Sequence, residues 1–395
     1  VRSSAANAGG SILRISPEGN YVKLQRPGII LAGLVAGALA LAACGSDDTS
    51  GTTGGQATGG SSANGGTVSD CASGSFTAAG SSAQKPAFNA WKSGYEAACS
   101  GASINYDGQG SGYGRTQFYQ GQVPLAGSDA AIADADQGKA DTRCTGGKAV
   151  DIPMVITPVA IVYNVQGVSK LTLTPTLLAK IFSGKISKWN DPAIVAANSG
   201  TTLPATTITT VHRSSDSGTT QNFARFLDAQ AKADWTYGTE QSWKAPGGQG
   251  AKDSAAMVQQ VKGADGAIGY VDGPDAVKNS LTPAALDTGS GPVELNSDSV
   301  SKAVAAATAT VTGQDIKVAV NYGLKDAGAY PAILVTYEIT CTKGLAADQA
   351  KFVKSFLTYT ASDAGQAALA PIGHSPLPAD LLSKVKEAVA GLSAA

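Results

Sequence analysis

Three turns in this chain share one make-up, and each stands where a short extended run hands over to a helical pattern. They are Gly80-Ser81-Ser82, the glycine-rich run from Gly108 to Gly114 that holds Ser111, and the run from His212 through Arg213, Ser217 and Gly218 to Thr219. A helix start carries unpaired N–H groups and the positive end of its dipole, so small residues and hydroxyls placed there cradle a tetrahedral oxyanion. Three such turns point to one ligand held from several sides. Ser at these positions also serves as an ordinary N-cap, so the set carries the inference and no single member does.

The apolar pattern fills in the elements around the turns. Phe76 to Ala79 reads as a strand, and Pro86 sits in the first turn of a helix with Phe88, Trp91, Tyr95 and Ala98 on one face. Ile104 and Tyr106 alternate with polar neighbours as a strand does. The glycines at 108, 110, 112 and 114 do not match GxGxxG, and no acid follows to hold a ribose, so a dinucleotide fold is not supported. They let the backbone approach a ligand closely. Leu125 to Ala130 reads as a strand ending in Asp129, an acid that in many turns is merely a cap. Thr174 and Pro175 open a helix with Leu177, Leu178, Ile181 and Phe182 inward. Ile208 to Val211 runs into Arg213, and Thr219 opens a helix carrying Phe223, Phe226 and Leu227. Arg alone offers two parallel donors to an oxyanion, which gives Arg213 its weight. Gly266 to Val271 and Ala332 to Ile339 are further buried strands. The longest apolar extended run, Val150 to Val165, is broken by Pro153 and Pro158, and its length suits a strand that leaves one domain for another.

The start of the chain reads differently. Lys23 and Arg26 precede the apolar run from Gly28 to Ala43, which is shorter than the about 20 residues a bilayer helix needs and has the form of a secretory signal. It ends in Leu41-Ala42-Ala43-Cys44, which resembles the lipobox of bacterial lipoproteins, where the Cys becomes the acylated first residue. Residues 1–21 fit neither part, so the native start is expected near Val22. From Gly45 to about Ser69 the chain is nearly all Gly, Ser, Thr, Ala and Asn, a flexible tether that cannot bury a core. Residues 1–43 are therefore expected to be a signal peptide behind a non-native extension, and 44–70 a lipidated Cys44 and a linker holding the body at the outer face of the membrane.

Charge and cysteine usage exclude several classes. A net charge of −1 over 395 residues leaves no basic surplus for nucleic acid. Cys71, Cys99, Cys144 and Cys341 remain once Cys44 is set aside. In an exported protein they favour disulfides with three possible pairings; Cys71 with Cys99 and Cys144 with Cys341 is the expected one, because the first pair brackets a single strand-helix unit. Without CxxC spacing they do not read as a metal site, and two histidines, His212 and His374, make a His-based one improbable. A hydrolase would have to use Ser217 with His212 and an Asp, yet no GxSxG elbow is present and Arg213 already accounts for the Ser as an anion donor.

The combination of Ala79-Gly80-Ser81-Ser82, Gly110-Ser111-Gly112, Gly127-Ser128-Asp129, Phe182 with Gly184-Lys185-Ile186 and Trp189, His212-Arg213 with Ser217-Gly218-Thr219, and Gly266 to Tyr270 resembles the periplasmic phosphate-binding proteins of bacterial ABC transporters. The likeness covers about Phe76 to Leu382, and the Cys placement and tether look like the actinobacterial lipoprotein branch. It implies an α/β, two-lobe periplasmic-binding-protein fold of type II, with residues 71–154 plus 331–395 as one lobe, 155–330 as the other, and two hinge crossings near Pro153 and Pro331. It implies inorganic phosphate as ligand, no cofactor, no enzymatic step, a monomeric body and the permease subunits of a phosphate transporter as partners. Carried over by position, Ser82 and Ser111 are hydroxyl donors, Ala83 is a backbone donor, Asp129 is the carboxylate that accepts the ligand's proton, Arg213 is the charge partner, and Ser217, Gly218 and Thr219 are hydroxyl and backbone donors. Many relatives place Thr followed by an aromatic where Ser82 and Ala83 stand here.

One departure bears on affinity. Relatives usually read Arg-x-Asp-Gly-Ser-Gly, whereas Ser214-Ser215-Asp216-Ser217-Gly218 follows Arg213 here, which leaves open whether Asp216 pairs with that Arg. Selectivity is expected to rest on Asp129, because a carboxylate in a closed site requires a proton on the ligand; hydrogen phosphate and arsenate have one, sulfate has none. Sulfate or molybdate binding is the nearest rival within the binding class, and a surface adhesin without transport is the rival outside it.

Overall fold

The structure is a computed structural model that describes residue 68 and residues 70–393. The expected signal peptide, the lipidated Cys44 and nearly all of the tether lie outside the described residues. Among the described residues no helix is long and apolar enough to cross a membrane.

One sheet of eight strands organises the body. In chain order these are β1 (Gly74–Gly80), β2 (Ala102–Asp107), β3 (Ala126–Ser128), β4 (Ala149–Asn164), β5 (Thr209–Arg213), β6 (Gln249–Ala251), β7 (Ala267–Asp272) and β8 (Ile333–Cys341). Across the sheet they lie β2-β1-β3-β8-β4-β7-β5-β6. β1 is parallel to β2 and β3, and β5 is parallel to β6 and β7. β4 and β8 sit between these groups and run antiparallel to their neighbours.

The proline-broken run is the strand that serves two bodies. From Ala149 to Pro158, β4 pairs with β8; from Val159 to Asn164 it pairs with β7. The partner changes at Pro158, a residue with no N–H to give the ladder. Buried side chains follow the same division. One core gathers Phe76, Phe88, Trp91, Met154, Val155, Ile156 and Phe352, and the other Val159 to Val162, Phe182, Trp189, Phe223 and Tyr270. Each large apolar side chain so buried contributes about 1.5–3 kcal/mol.

Two expectations shift. The crossing expected near Pro153 lies at Pro158–Val159. The stretch 155–330, expected to belong whole to the second lobe, divides between the cores. Val300, Ala303 and Val304 of the helix Ser297–Ala305, Ile316 of the following hairpin, Leu324 and Ala329 all pack into the first core. Amphipathic periodicity states that a face must be covered and does not state by which sheet, so this early return was not legible.

Four helices matter for the site: α1 (Lys85–Ala98), α2 (Ser111–Tyr119), α3 (Gly218–Ala231) and α4 (Ser254–Gly263). α1 buries Ala87, Phe88, Trp91 and Tyr95; Ala98, expected inward, is exposed, and Cys99 takes the buried place. Cys71 is bonded to Cys99, and Cys144 to Cys341, which ties the end of α1 to the segment before β1 and the turn holding Cys144 to the end of β8.

Candidate functional site

The carboxyl ends of β1, β2 and β3 meet those of β5 and β7 between the two cores, the place where sheets of this kind take ligands. β1 ends at Gly80, whose backbone runs so near β3 that a Cβ there would stand 2.1 Å from the Gly127 carbonyl oxygen. The turn that follows divides its labour. The Ser81 hydroxyl accepts from the N–H groups of Ala83 (3.1 Å) and Gln84 (3.4 Å) and donates to Asp129 Oδ2 at 2.7 Å. Ser82, freed from capping, faces the other lobe, where its Oγ accepts from Arg213 Nη1 at 3.0 Å and lies 2.9 Å from Ser254 Oγ. Ser81 was not among the expected site residues; beside Ser82, nothing in the sequence distinguishes which hydroxyl caps and which crosses.

Asp129 follows β3 and is 3% exposed. Its Oδ2 accepts from Ser81 and, at 3.0 Å, from Ser111 at the start of α2, and its Oδ1 accepts from Thr336 at 2.8 Å. Burial raises its carboxyl above the usual range, and the three hydroxyls and the Arg213 charge oppose that rise.

Arg213 ends β5 and is 2% exposed. Nη1 donates to Ser82 and, at 3.1 Å, to Ser217; Nη2 donates to Ser215 Oγ (3.0 Å), the Gln109 carbonyl (3.2 Å) and the Lys252 carbonyl (3.0 Å). Its Nε is buried with no partner. Among the described residues no carboxylate lies within 4.0 Å of this guanidinium. Asp216, the acid displaced by one place, is exposed and makes no such pair. Burial lowers the Arg213 pKa, with Asp272 and Asp129 among the groups acting against it.

Gly218 brings the start of α3 against that acid: a Cβ there would stand 2.4 Å from Asp129 Cβ and 2.7 Å from Ser111 Oγ. Ser217 caps the helix, its Oγ accepting the Thr220 N–H at 3.3 Å, so α3 opens one residue before the expected Thr219. Thr219 Oγ1 donates to Asp272 Oδ1 at 3.1 Å. Asp272, at the end of β7 and fully buried, also accepts from Ser254 Oγ at 2.7 Å. Because Arg only donates and the carboxylate accepts, the hydroxyls line up as a relay from Arg213 through Ser82 and Ser254 to Asp272, across both lobes. Burial pushes the Asp272 carboxyl up to about 7, with Asp275 and Asp129 adding to the rise. The sequence reading missed Asp272 and Ser254; an Asp before Gly273-Pro274 has the look of a plain helix cap.

All eight expected anion contacts, Ser82, Ala83, Ser111, Asp129, Arg213, Ser217, Gly218 and Thr219, thus lie in one buried neighbourhood. The hydrolase arrangement does not assemble. His212 stacks on Trp243 at 5.1 Å, and its Nδ1 lies 3.0 Å from the Arg213 carbonyl oxygen, while Ser217 Oγ is held by Arg213 and Thr220.

Behind the Ser81 turn stands a second buried acid. Glu338 on β8 takes the Gln84 amide on one oxygen and leaves the other without a partner, while the Tyr106 hydroxyl lies 2.8 Å from the Ser81 carbonyl and 3.2 Å from Gln84 Oε1. Burial pushes the Glu338 carboxyl up to about 7, and the Gln84 hydrogen bond opposes this. A raised acid binds its proton more tightly folded than unfolded, so its stabilisation is present below the ordinary carboxyl pKa and is lost as pH rises through about 7. Glu338→Gln, which keeps the shape without the titration, is expected to flatten the fall of melting temperature between about pH 5 and 8; equal slopes in wild type and variant would contradict this.

The chain matches the PBP superfamily domain over residues 65–364. It is 38% identical over 373 residues to phosphate-binding protein PstS 3 of Mycobacterium tuberculosis, covering 93% of this chain and 99% of that relative. It is 33% identical to phosphate-binding protein PstS of Xylella fastidiosa over 318 residues, covering 78% and 83%. Among solved structures it is similar to the high affinity periplasmic phosphate-binding protein PfluDING (TM-score 0.66, 24% identity, covering 79% of this chain and 93% of that one). A phosphate-binding protein from Stenotrophomonas maltophilia gives a TM-score of 0.61 at 21% identity, covering 80% and 93%.

Proposed function

Because the chain belongs to the PBP superfamily, and within it to the PstS-type phosphate-binding proteins with the type II two-lobe fold, we propose that it captures inorganic phosphate between its lobes and hands it to an ABC permease. The observation that carries this reading is Arg213, a guanidinium 2% exposed, with a partnerless Nε and no carboxylate at ion-pair distance among the described residues. A buried cation in that condition calls for an anion. The hydroxyls of Ser82, Ser111, Ser217 and Thr219 and the start of α3 supply further donors around it. Asp129 supplies the check for a proton on the ligand. We assign the protein no chemistry of its own and no cofactor. The lipobox-like Leu41-Ala42-Ala43-Cys44 and the tether behind it support a body lipid-anchored at the outer face of the cell membrane, where a permease would receive the ligand.

Titration calorimetry of the purified protein with phosphate, arsenate and sulfate tests the assignment. Phosphate and arsenate are expected to bind with comparable affinity and sulfate far more weakly. A protein that ignores phosphate, or that prefers sulfate, would overturn it.

A further inference from the structure

A cleft of about 520 Å³ adjoins the buried site at the Asp129 turn. That volume is within the about 300–1,000 Å³ of small-ligand pockets. Both lobes line it, and three half-buried cations face it: Arg115 from α2, Arg225 from α3 and Lys317 from the hairpin that packs on the first core. Their charges are poorly matched by acids. Lys317 pairs with Asp134 at 3.5 Å. Arg115 gives its donors to neutral oxygens, Gln241 Oε1 at 2.7 Å and Ser128 Oγ at 3.3 Å. Among the described residues no carboxylate stands within 4.0 Å of Arg115 or Arg225. Two acids also line the cleft, Asp134 beside Lys317 and Asp129, whose carboxylate accepts from Ser81, Ser111 and Thr336.

The partition between cleft and buried site is thin. Asn222 of α3 donates to the Asp129 carbonyl at 2.7 Å, and the Tyr322 hydroxyl is bonded to Asn222 Oδ1. The Asn222–Asp129 bond ties the second lobe to the first, and Tyr322, packed on the second core, holds Asn222 in place.

We propose that this cleft is a second, weaker oxyanion site, in which Arg225, Lys317 and Arg115 hold a phosphate before the Asn222–Asp129 contact opens to admit it. The proposal rests on the phosphate reading and deepens it. Three cations against two lining acids, Asp129 and Asp134, leave the cleft with a positive surplus, and a cleft with a surplus of one sign focuses the field and raises on-rates. Cations only half buried hold an anion loosely and are screened by salt, which suits a place of passage.

The test is stopped-flow association of phosphate with the Arg225→Gln/Lys317→Gln double variant. Arg115 is left in place because it joins the lobes through Gln241. At low ionic strength kon is expected to fall about tenfold with koff unchanged, since peripheral charges act mainly on the on-rate. The two proteins should converge at about 1 M salt, where the Debye length is about 3 Å. Lys317→Gln alone is expected to give roughly a threefold fall of the same salt dependence, and it serves if the double variant does not fold. Unchanged kon at low salt, or a loss that persists undiminished at high salt, overturns the proposal. If the wild type binds phosphate and the variants associate at its rate, the cleft fails as a site and the phosphate assignment stands; if the wild type binds no phosphate, both fall together.

Discussion

Arg213→Gln is expected to lower phosphate affinity by about 10³-fold while the protein stays folded. Losing one partner of a buried, hydrogen-bonded charge pair costs about 2–5 kcal/mol, and about 1.4 kcal/mol is a factor of ten. Gln retains some donor capacity but neither the charge nor the paired geometry that lets Nη1 reach Ser82 and Ser217 together. The folded state should tolerate the change, because the guanidinium is buried without a carboxylate at ion-pair distance and its removal relieves a desolvation penalty that offsets the lost hydrogen bonds. Two measurements therefore separate a ligand role from a structural one. Phosphate should raise the melting temperature of the wild type, by linkage to binding, and leave the variant's unmoved. The unliganded variant should melt close to the wild type. A variant that still gains stability from phosphate would remove Arg213 from the site.

The second large effect concerns choice of anion. In Asp129→Asn the ratio of sulfate to phosphate dissociation constants is expected to shrink by at least about 10²-fold, out of the about 10⁴ to 10⁵ that a site reading a ligand hydroxyl can reach. Asp129 is pressed by Gly218 on one side and holds the hydroxyls of Ser81, Ser111 and Thr336. Its carboxylate can accept a proton from the ligand and repels an oxyanion that has none. The amide keeps the shape, drops the charge and turns one acceptor into a donor that a bare oxyanion can use. Phosphate binding should weaken and sulfate binding strengthen. Calorimetry with both anions on both proteins decides it, and a preserved ratio would move the proton check elsewhere in the site, with buried Asp272 as the next residue to change.

Local chemistry made much of this legible. Gly80, Ser111 and Gly218 announced themselves because a turn into a helix start needs small residues and hydroxyls within a few positions. Arg213 announced itself by standing beside one of those starts. The strand β4 was readable as the crossing from its length and its prolines. The pairing of Cys71 with Cys99 followed from the single strand-helix unit between them. What these have in common is that cause and signal lie within one element or one turn.

The tertiary structure alone decided how those pieces share the work. Ser81 and Ser82 are neighbours in sequence, yet Ser82 meets Arg213, 131 positions away, and Ser254, 172 away. Asp272 entered the site, and Asp216 left it for solvent, according to where β7 and the turn after β5 end relative to the opposite lobe. The helix Ser297–Ala305 packs Val300, Ala303 and Val304 into the first core although its sequence lies within the stretch of the second. Burial and long-range hydrogen bonds settle such matters, and a residue's own neighbours along the chain carry no record of them.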